Sequence, residues 1–103
     1  MTLSDCKIEI VGLGQIGSSL ASVIIKNNLA KEVVGFTRNF ETAKAAKRRG
    51  IVTKVFTDER EIFQQKADIA IFAVPVHALI PLIQKMPENY KGKSEAYKPL
   101  LVE

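Results

Sequence analysis

The stretch Ile8-Glu9-Ile10-Val11-Gly12-Leu13-Gly14-Gln15-Ile16-Gly17 decides the fold. Its apolar residues read as a strand over 7–11. The three glycines that follow stand at G-x-G-x-x-G spacing, and 18–28 reads as a helix behind them. A dinucleotide asks for this pattern between strand and helix. Gly12 permits the tight turn, Gly14 lets the backbone approach a pyrophosphate without a Cβ, and Gly17 lets the helix pack closely on the sheet. The helix N-terminus then offers free N–H groups and the positive end of its dipole to the phosphates. Gly12, Leu13, Gly14, Gln15, Ile16 and Gly17 are therefore candidate cofactor-binding residues. The competing reading is a purely structural glycine turn.

Outward from this turn the chain alternates strand and helix. In the first helix Ile16, Leu20, Ala21, Val23 and Ile24 form a wide apolar face, and Asn27-Asn28 close it. Residues 32–37 read as a second strand. Residues 39–49 read as a second helix, with Asn39 as N-cap, Glu41 in the first turn, Lys47-Arg48-Arg49 in the last and Gly50 just beyond. A short strand over 53–57 leads to a short helix through about residue 66, capped by Thr57 or Asp58, with Ile62 and Phe63 pointing inward. The continuous apolar run over 68–74 is the strongest strand signal and implies burial on both faces. Pro75 stops it. A helix over 77–86 contains Pro81, tolerable only near the helix start. Residues 87–98 read as a polar loop, and 99–103 as the opening of a fifth strand.

This β-α-β-α-β-α-β-α-β tally with right-handed crossovers predicts a doubly wound parallel α/β sheet of the Rossmann type. Its strand order is 3-2-1-4-5, in three α/β/α layers. Glu9 is the awkward residue, since a central parallel strand is apolar on both faces. Its place in the half of the strand away from the glycine turn is expected to let the carboxylate reach solvent.

The 103 residues make one domain, with 47% hydrophobic and 25% charged residues, as in ordinary globular proteins. No apolar run approaches the ~20 residues of a membrane span. The N-terminus lacks the features of a signal peptide. The single cysteine, Cys6, cannot form an internal disulfide and suits a reducing cytoplasm, where it reads as a packing residue. One Cys and one His give no metal site. The net charge of +4 is concentrated between residues 38 and 54, where six basic residues accompany one acidic residue, Glu41. A solvated helix face explains most of these better than nucleic acid does.

Arg38 is the exception. NAD-binding versions of this fold place an Asp or Glu about 20 residues beyond the glycines to hold the ribose hydroxyls. Here that place is Thr37, followed by Arg38 and Asn39. The absent carboxylate removes repulsion of a 2′-phosphate, and Thr37 and Asn39 can donate to its oxygens. Arg38 can pair with it or stack on adenine. NADP is therefore favoured over NAD. The plainer reading is a polar turn ending in a helix cap, and helix phase alone does not say whether Lys44 or Arg48 adds to a phosphate site.

Ligands bind beyond the strand ends where strand order reverses, here between strands one and four. Ala73, Val74 and Pro75 should face the glycine turn across the nicotinamide ribose. His77 lies nearby, but nothing else forms a catalytic set around it. It reads as a helix-start residue, and no catalytic residue is assigned.

Four stretches together resemble the N-terminal domain of prephenate and arogenate dehydrogenases. They are the run from Ile10 to Leu20, Val34-Gly35-Phe36-Thr37-Arg38-Asn39, Arg49-Gly50-Ile51-Val52 and the run from Ala67 to Val76. The resemblance covers nearly all of 7–86 and the start of the strand at 100–103. It implies an NADP-dependent dehydrogenase of tyrosine biosynthesis, in which hydride passes from substrate to nicotinamide and CO₂ is lost. It also implies that the catalytic histidine, the substrate-binding arginine and the helical domain for dimerisation lie outside this chain, read as the N-terminal part of a longer protein. The partners implied are NADP(H), prephenate or arogenate, and a second subunit. Thr37-Arg38, where many relatives have Asp, fits the NADP-using members. The alternatives are an imine or hydroxyacid oxidoreductase (pyrroline-5-carboxylate reductase or 3-hydroxyacid dehydrogenase type) and a non-enzymatic NADP-sensing module. A methyltransferase is disfavoured by Thr37.

Overall fold

The computed structural model describes residues 2–87 together with the backbone of residues 98–102. The polar connection expected over 87–98 lies, apart from its ends, outside the described residues, as does residue 103. Five parallel strands form one sheet in the order β3-β2-β1-β4-β5, as the alternation of elements predicts. They are β1 (Lys7–Val11), β2 (Glu32–Phe36), β3 (Lys54–Phe56), β4 (Ile69–Ala73) and β5 (Lys98–Val102). Between them run helices α1 (Gln15–Lys26), α2 (Phe40–Arg49) and α3 (Val76–Gln84) and a 3₁₀ segment, Glu59–Gln64.

The central strand β1 pairs with β2 on one side and β4 on the other, in a register that sets Ile10 between Gly35 and Ile71. Alternation then sorts the side chains into two cores. Ile8, Ile10, Val33 and Ile71 meet Ala21 and Ile24 of α1 and Ala46 of α2 on one face. Val11, Phe36, Ala70 and Phe72 meet Ile62 of the 3₁₀ segment and Leu82 of α3 on the other. Cys6 is buried in the first core, and its thiol donates to the Thr2 carbonyl oxygen at 3.3 Å, so it packs as expected.

Several boundaries differ from the sequence reading, each for a local reason. Helix α1 begins at Gln15, a turn earlier than 18, with Gly14 at its N-cap. It ends at Lys26, and Asn28 then adopts a left-handed φ of 51°. Its sheet-facing stripe is Gly17, Ala21 and Ile24, while Ile16 and Val23 are about half exposed. The apolar face is thus narrower than the sequence suggested. Residues 16, 20 and 23 share a helical row one step (100°) round from 17, 21 and 24. The third helix is 3₁₀ rather than α. Asp58 caps it by accepting from the Arg60 backbone N–H at 2.9 Å.

Pro81 lies inside α3, and only the ladder bond from residue 81 to the carbonyl of residue 77 is lost. Helix α2 carries its expected signals. Asn39 Oδ1 accepts from the Thr42 N–H at 2.9 Å, and Gly50 closes the helix at φ 70°. Asn39→Ala is expected to lower stability by about 1 kcal/mol, read as a shift of the urea midpoint without a change in slope.

Glu9 requires a correction. It does not reach solvent: the residue is fully buried, on the face shared with Val11, between Val34 of β2 and Ala70 of β4. Ile8, Ile10 and Val11 are buried as well, and Ile62 and Leu82 close the second core on the face of Glu9, so the end remote from the glycine turn offers no exit. Neither carboxylate oxygen has a hydrogen-bond partner among the described residues. Burial pushes its pKa from 4.5 up to about 8, against a weaker downward pull from Lys7.

Candidate functional site

The glycine turn is pressed against the end of β4. Gly12 has a φ of 108°, and its N–H donates to the Phe36 carbonyl at 2.9 Å. A Cβ on Gly12 would lie 2.5 Å from the Ala73 carbonyl oxygen. A Cβ on Gly17 would lie 1.8 Å from the Gly12 carbonyl oxygen and 3.4 Å from the Ala73 Cβ. At Gly14, by contrast, a Cβ would meet nothing within 4 Å. Two glycines therefore permit strand–turn–helix packing, and the third leaves open space at the N-terminus of a 12-residue helix.

Leu13 anchors the turn from inside. Its side chain is buried in the first core beside Gly35, where a Cβ would come 2.8 Å from Leu13 Cδ1. Ser18 Oγ donates to the Leu13 carbonyl at 2.9 Å, and the Ser18 N–H donates to the Gly14 carbonyl. The N–H groups of Gln15, Ile16 and Gly17, in the first turn, have no intrahelical acceptor and stand at the positive end of the helix dipole.

A cleft of about 250 Å³ opens above the strand ends, at the point where strand order reverses about β1. Gly12, Leu13, Gly14, Thr37, Arg38, Ala73, Val74 and Pro75 all line it. Three segments far apart in sequence thus converge as expected. Gln15, Ile16, Gly17 and Asn39 do not line the cleft. Gln15 and Ile16 border a shallow groove on the outer side of α1, Gly17 is buried beneath the turn, and Asn39 caps α2. Ala78 and Leu82 of α3 also line it and were not anticipated. Only the pitch of α3 over the sheet brings them there.

Thr37 is nearly buried just beyond β2. Its N–H donates to the Phe56 carbonyl, and its Oγ1 accepts from the Asn39 N–H at 3.2 Å. The Arg38 side chain is 67% exposed, and its guanidinium donates to the Glu59 carboxylate. Among the described residues no carboxylate side chain lines the cleft.

Larger hollows exist, and chemistry separates them from this cleft. One of about 530 Å³ between α2 and β3 is lined by Phe40, Phe56 and the cations Lys44, Lys47 and Arg48. The structure thus places Lys44 and Arg48 at that hollow rather than in the cleft. It lacks a glycine turn. His77 is exposed in the first turn of α3 and does not line the cleft. Among the described residues no group of three acidic, His or Cys side chains can hold a metal, and no helix is long and apolar enough to cross a membrane.

A parallel sheet in this order, with a glycine turn, a helix N-terminus and an apolar wall meeting at the switch point, defines a Rossmann-type NAD(P)-binding domain. Residues 7–94 match the family described as NADP oxidoreductase coenzyme F420-dependent, and the chain belongs to that family of oxidoreductases.

The chain is similar to prephenate dehydrogenase of Lactococcus lactis subsp. cremoris, with 41% identity over 81 residues, 78% of this chain and 22% of that protein. The arogenate dehydrogenase of Synechocystis shares 29% identity at a TM-score of 0.66, over 78% of this chain and 27% of its own. The prephenate dehydrogenase of A. aeolicus, solved with hydroxyphenyl propionate and NAD+, shares the fold. Its TM-score is 0.76 at 19% identity, over 98% of this chain and 33% of its own. The chain thus spans about a fifth of the length of the curated relative and a third or less of these solved structures.

Proposed function

We propose that this domain binds NADP(H) and serves as the cofactor-binding part of a prephenate or arogenate dehydrogenase. The observation that carries the reading is the cleft itself. It joins the glycine turn to Thr37 and Arg38 and, among the described residues, presents no carboxylate where an unphosphorylated ribose would be held. The pyrophosphate would lie against the backbone of residues 12–17, where the Cβ-free position of Gly14 leaves it room. Thr37 and Arg38 would take the 2′-phosphate, with the Asn39 N–H holding the Thr37 hydroxyl. Ala73, Val74 and Pro75 would pack against the nicotinamide ribose, which points the ring along the β4 end of the cleft. When bound, the nicotinamide supplies a hydride acceptor. The chain's own residues bind, orient and exclude water, and they move no proton.

Similarity to prephenate and arogenate dehydrogenases supports this assignment. The catalytic residues, the substrate pocket and a dimerising helical domain belong, in this reading, to sequence outside these 103 residues. A second reading, another NADP oxidoreductase acting with coenzyme F420, is favoured by the family description. Turnover of the whole protein with F420, and none with prephenate or arogenate, would select it.

Calorimetric titration tests the cofactor. NADP is expected to bind at least about tenfold more tightly than NAD, since one charge-assisted contact contributes about 1.5–3 kcal/mol. Tighter binding of NAD would overturn the assignment. Thr37→Asp with Arg38→Ala is expected to reverse the preference, because a carboxylate at this position repels the phosphate and accepts from the ribose hydroxyls.

A further inference from the structure

Arg38, the cation assigned above to the 2′-phosphate, is already occupied. Its Nη2 donates to Glu59 Oε2, while Glu59 Oε1 accepts from Lys85 Nζ at 2.6 Å. Glu59 opens the 3₁₀ segment that follows β3, and β3 lies beside β2, so its carboxylate reaches the residue just after β2. Lys85 comes from the C-terminal end of α3. Glu59 is only one-quarter exposed, whereas both of its cations are about two-thirds exposed. The nearby Arg60 is held by Asp58 and takes no part. Hydrogen bonds from Lys85 and Arg38 hold the Glu59 carboxyl below its usual range, so it stays ionised at neutral pH.

We propose that Glu59 is a specificity-determining residue that competes with the 2′-phosphate for Arg38 and so sets the margin by which a phosphorylated dinucleotide is preferred. The inference rests on the NADP reading. Glu59 holds Arg38 through Nη2 and offsets its charge, so a dianionic phosphate competes with this carboxylate for the guanidinium. Lys85 makes the exchange cheap, because Glu59 keeps one cation when Arg38 turns to the phosphate and no carboxylate is left unpaired. NAD brings no phosphate to Arg38 and leaves the triad intact.

The test is titration of the wild type, Glu59→Gln, Lys85→Ala and the double variant with NADP and NAD. Glu59→Gln is isosteric and uncharged. It is expected to tighten NADP about threefold to fivefold, the worth of an exposed ion pair, with NAD unchanged. Lys85→Ala is expected to weaken NADP by a similar factor, since Glu59 then has only Arg38. In the double variant NADP affinity should return to that of Glu59→Gln, because Lys85 acts through Glu59. A structural role for Glu59 would move both dinucleotides together. A wild type that binds NAD as tightly as NADP overturns the NADP reading and this inference with it. A wild-type preference for NADP that Glu59→Gln leaves unchanged or lowers overturns this inference alone, as does equal weakening by Lys85→Ala in both backgrounds.

Discussion

Gly17→Ala is expected to cost about 3 kcal/mol or more, a large share of the ~5–15 kcal/mol that holds a domain together. The added methyl would lie 1.8 Å from the Gly12 carbonyl oxygen, a backbone atom fixed by β1 and the turn. It can be accommodated only by lifting α1 from the sheet, which opens the first core around Ala21 and Ile24. For a domain of about this size each kcal/mol corresponds to roughly 4–8 °C in Tm, so a fall of at least about 12 °C is expected in a thermal melt. Gly14→Ala is the control. A methyl there meets nothing within 4 Å at a φ of −74°, so stability should change by less than about 1 kcal/mol. Dinucleotide affinity should nevertheless fall, because the methyl enters the space assigned to the pyrophosphate. A Gly17→Ala variant as stable as wild type would show that α1 does not sit as closely as described.

Glu9 gives the second large effect, and its sign is opposite to that of a salt-bridged carboxylate. Its pKa stands at about 8 in the folded chain and near 4.5 when exposed, because burial between Val34 and Ala70 disfavours the charge. Between those values the folded state holds a proton that the unfolded chain has released. Stability from this group is therefore full below about pH 4.5, falls as pH rises and levels off above about pH 8. At about 1.4 kcal/mol per pH unit the whole loss is on the order of 5 kcal/mol. Urea denaturation from pH 5 to pH 9 should show this decline in the wild type. Glu9→Leu should flatten it and be the more stable protein at pH 9, since a leucine there buries apolar surface in place of an unpartnered carboxyl. A flat wild-type profile, or a leucine variant less stable than wild type at pH 9, would refute the assignment.

Both effects act on β1, yet only one was legible in the chain. The close approach at Gly17 follows from the G-x-G-x-x-G spacing, because a strand that turns straight into a helix leaves no room for a Cβ at the sixth position. The fate of Glu9 does not follow from spacing. Alternation places it on one face of the strand, but whether that face reaches water depends on where the 3₁₀ segment and α3 come to rest. The same holds for Arg38. The sequence marks it as the basic residue after β2, while its partner Glu59 lies 21 positions away and meets it only because β3 pairs beside β2.

The amino-acid sequence by itself determined the alternation of strands and helices, the strand order, the glycine turn and the three segments that line the cleft. These rest on local periodicity, on turn chemistry and on the handedness of crossovers, all of which are properties of short stretches. Tertiary structure alone decided the narrower face of α1, the burial of Glu9, the α3 wall at Ala78 and Leu82 and the triad of Arg38, Glu59 and Lys85. Each of these depends on the distance or angle between elements, which side-chain packing sets only after the sheet has formed.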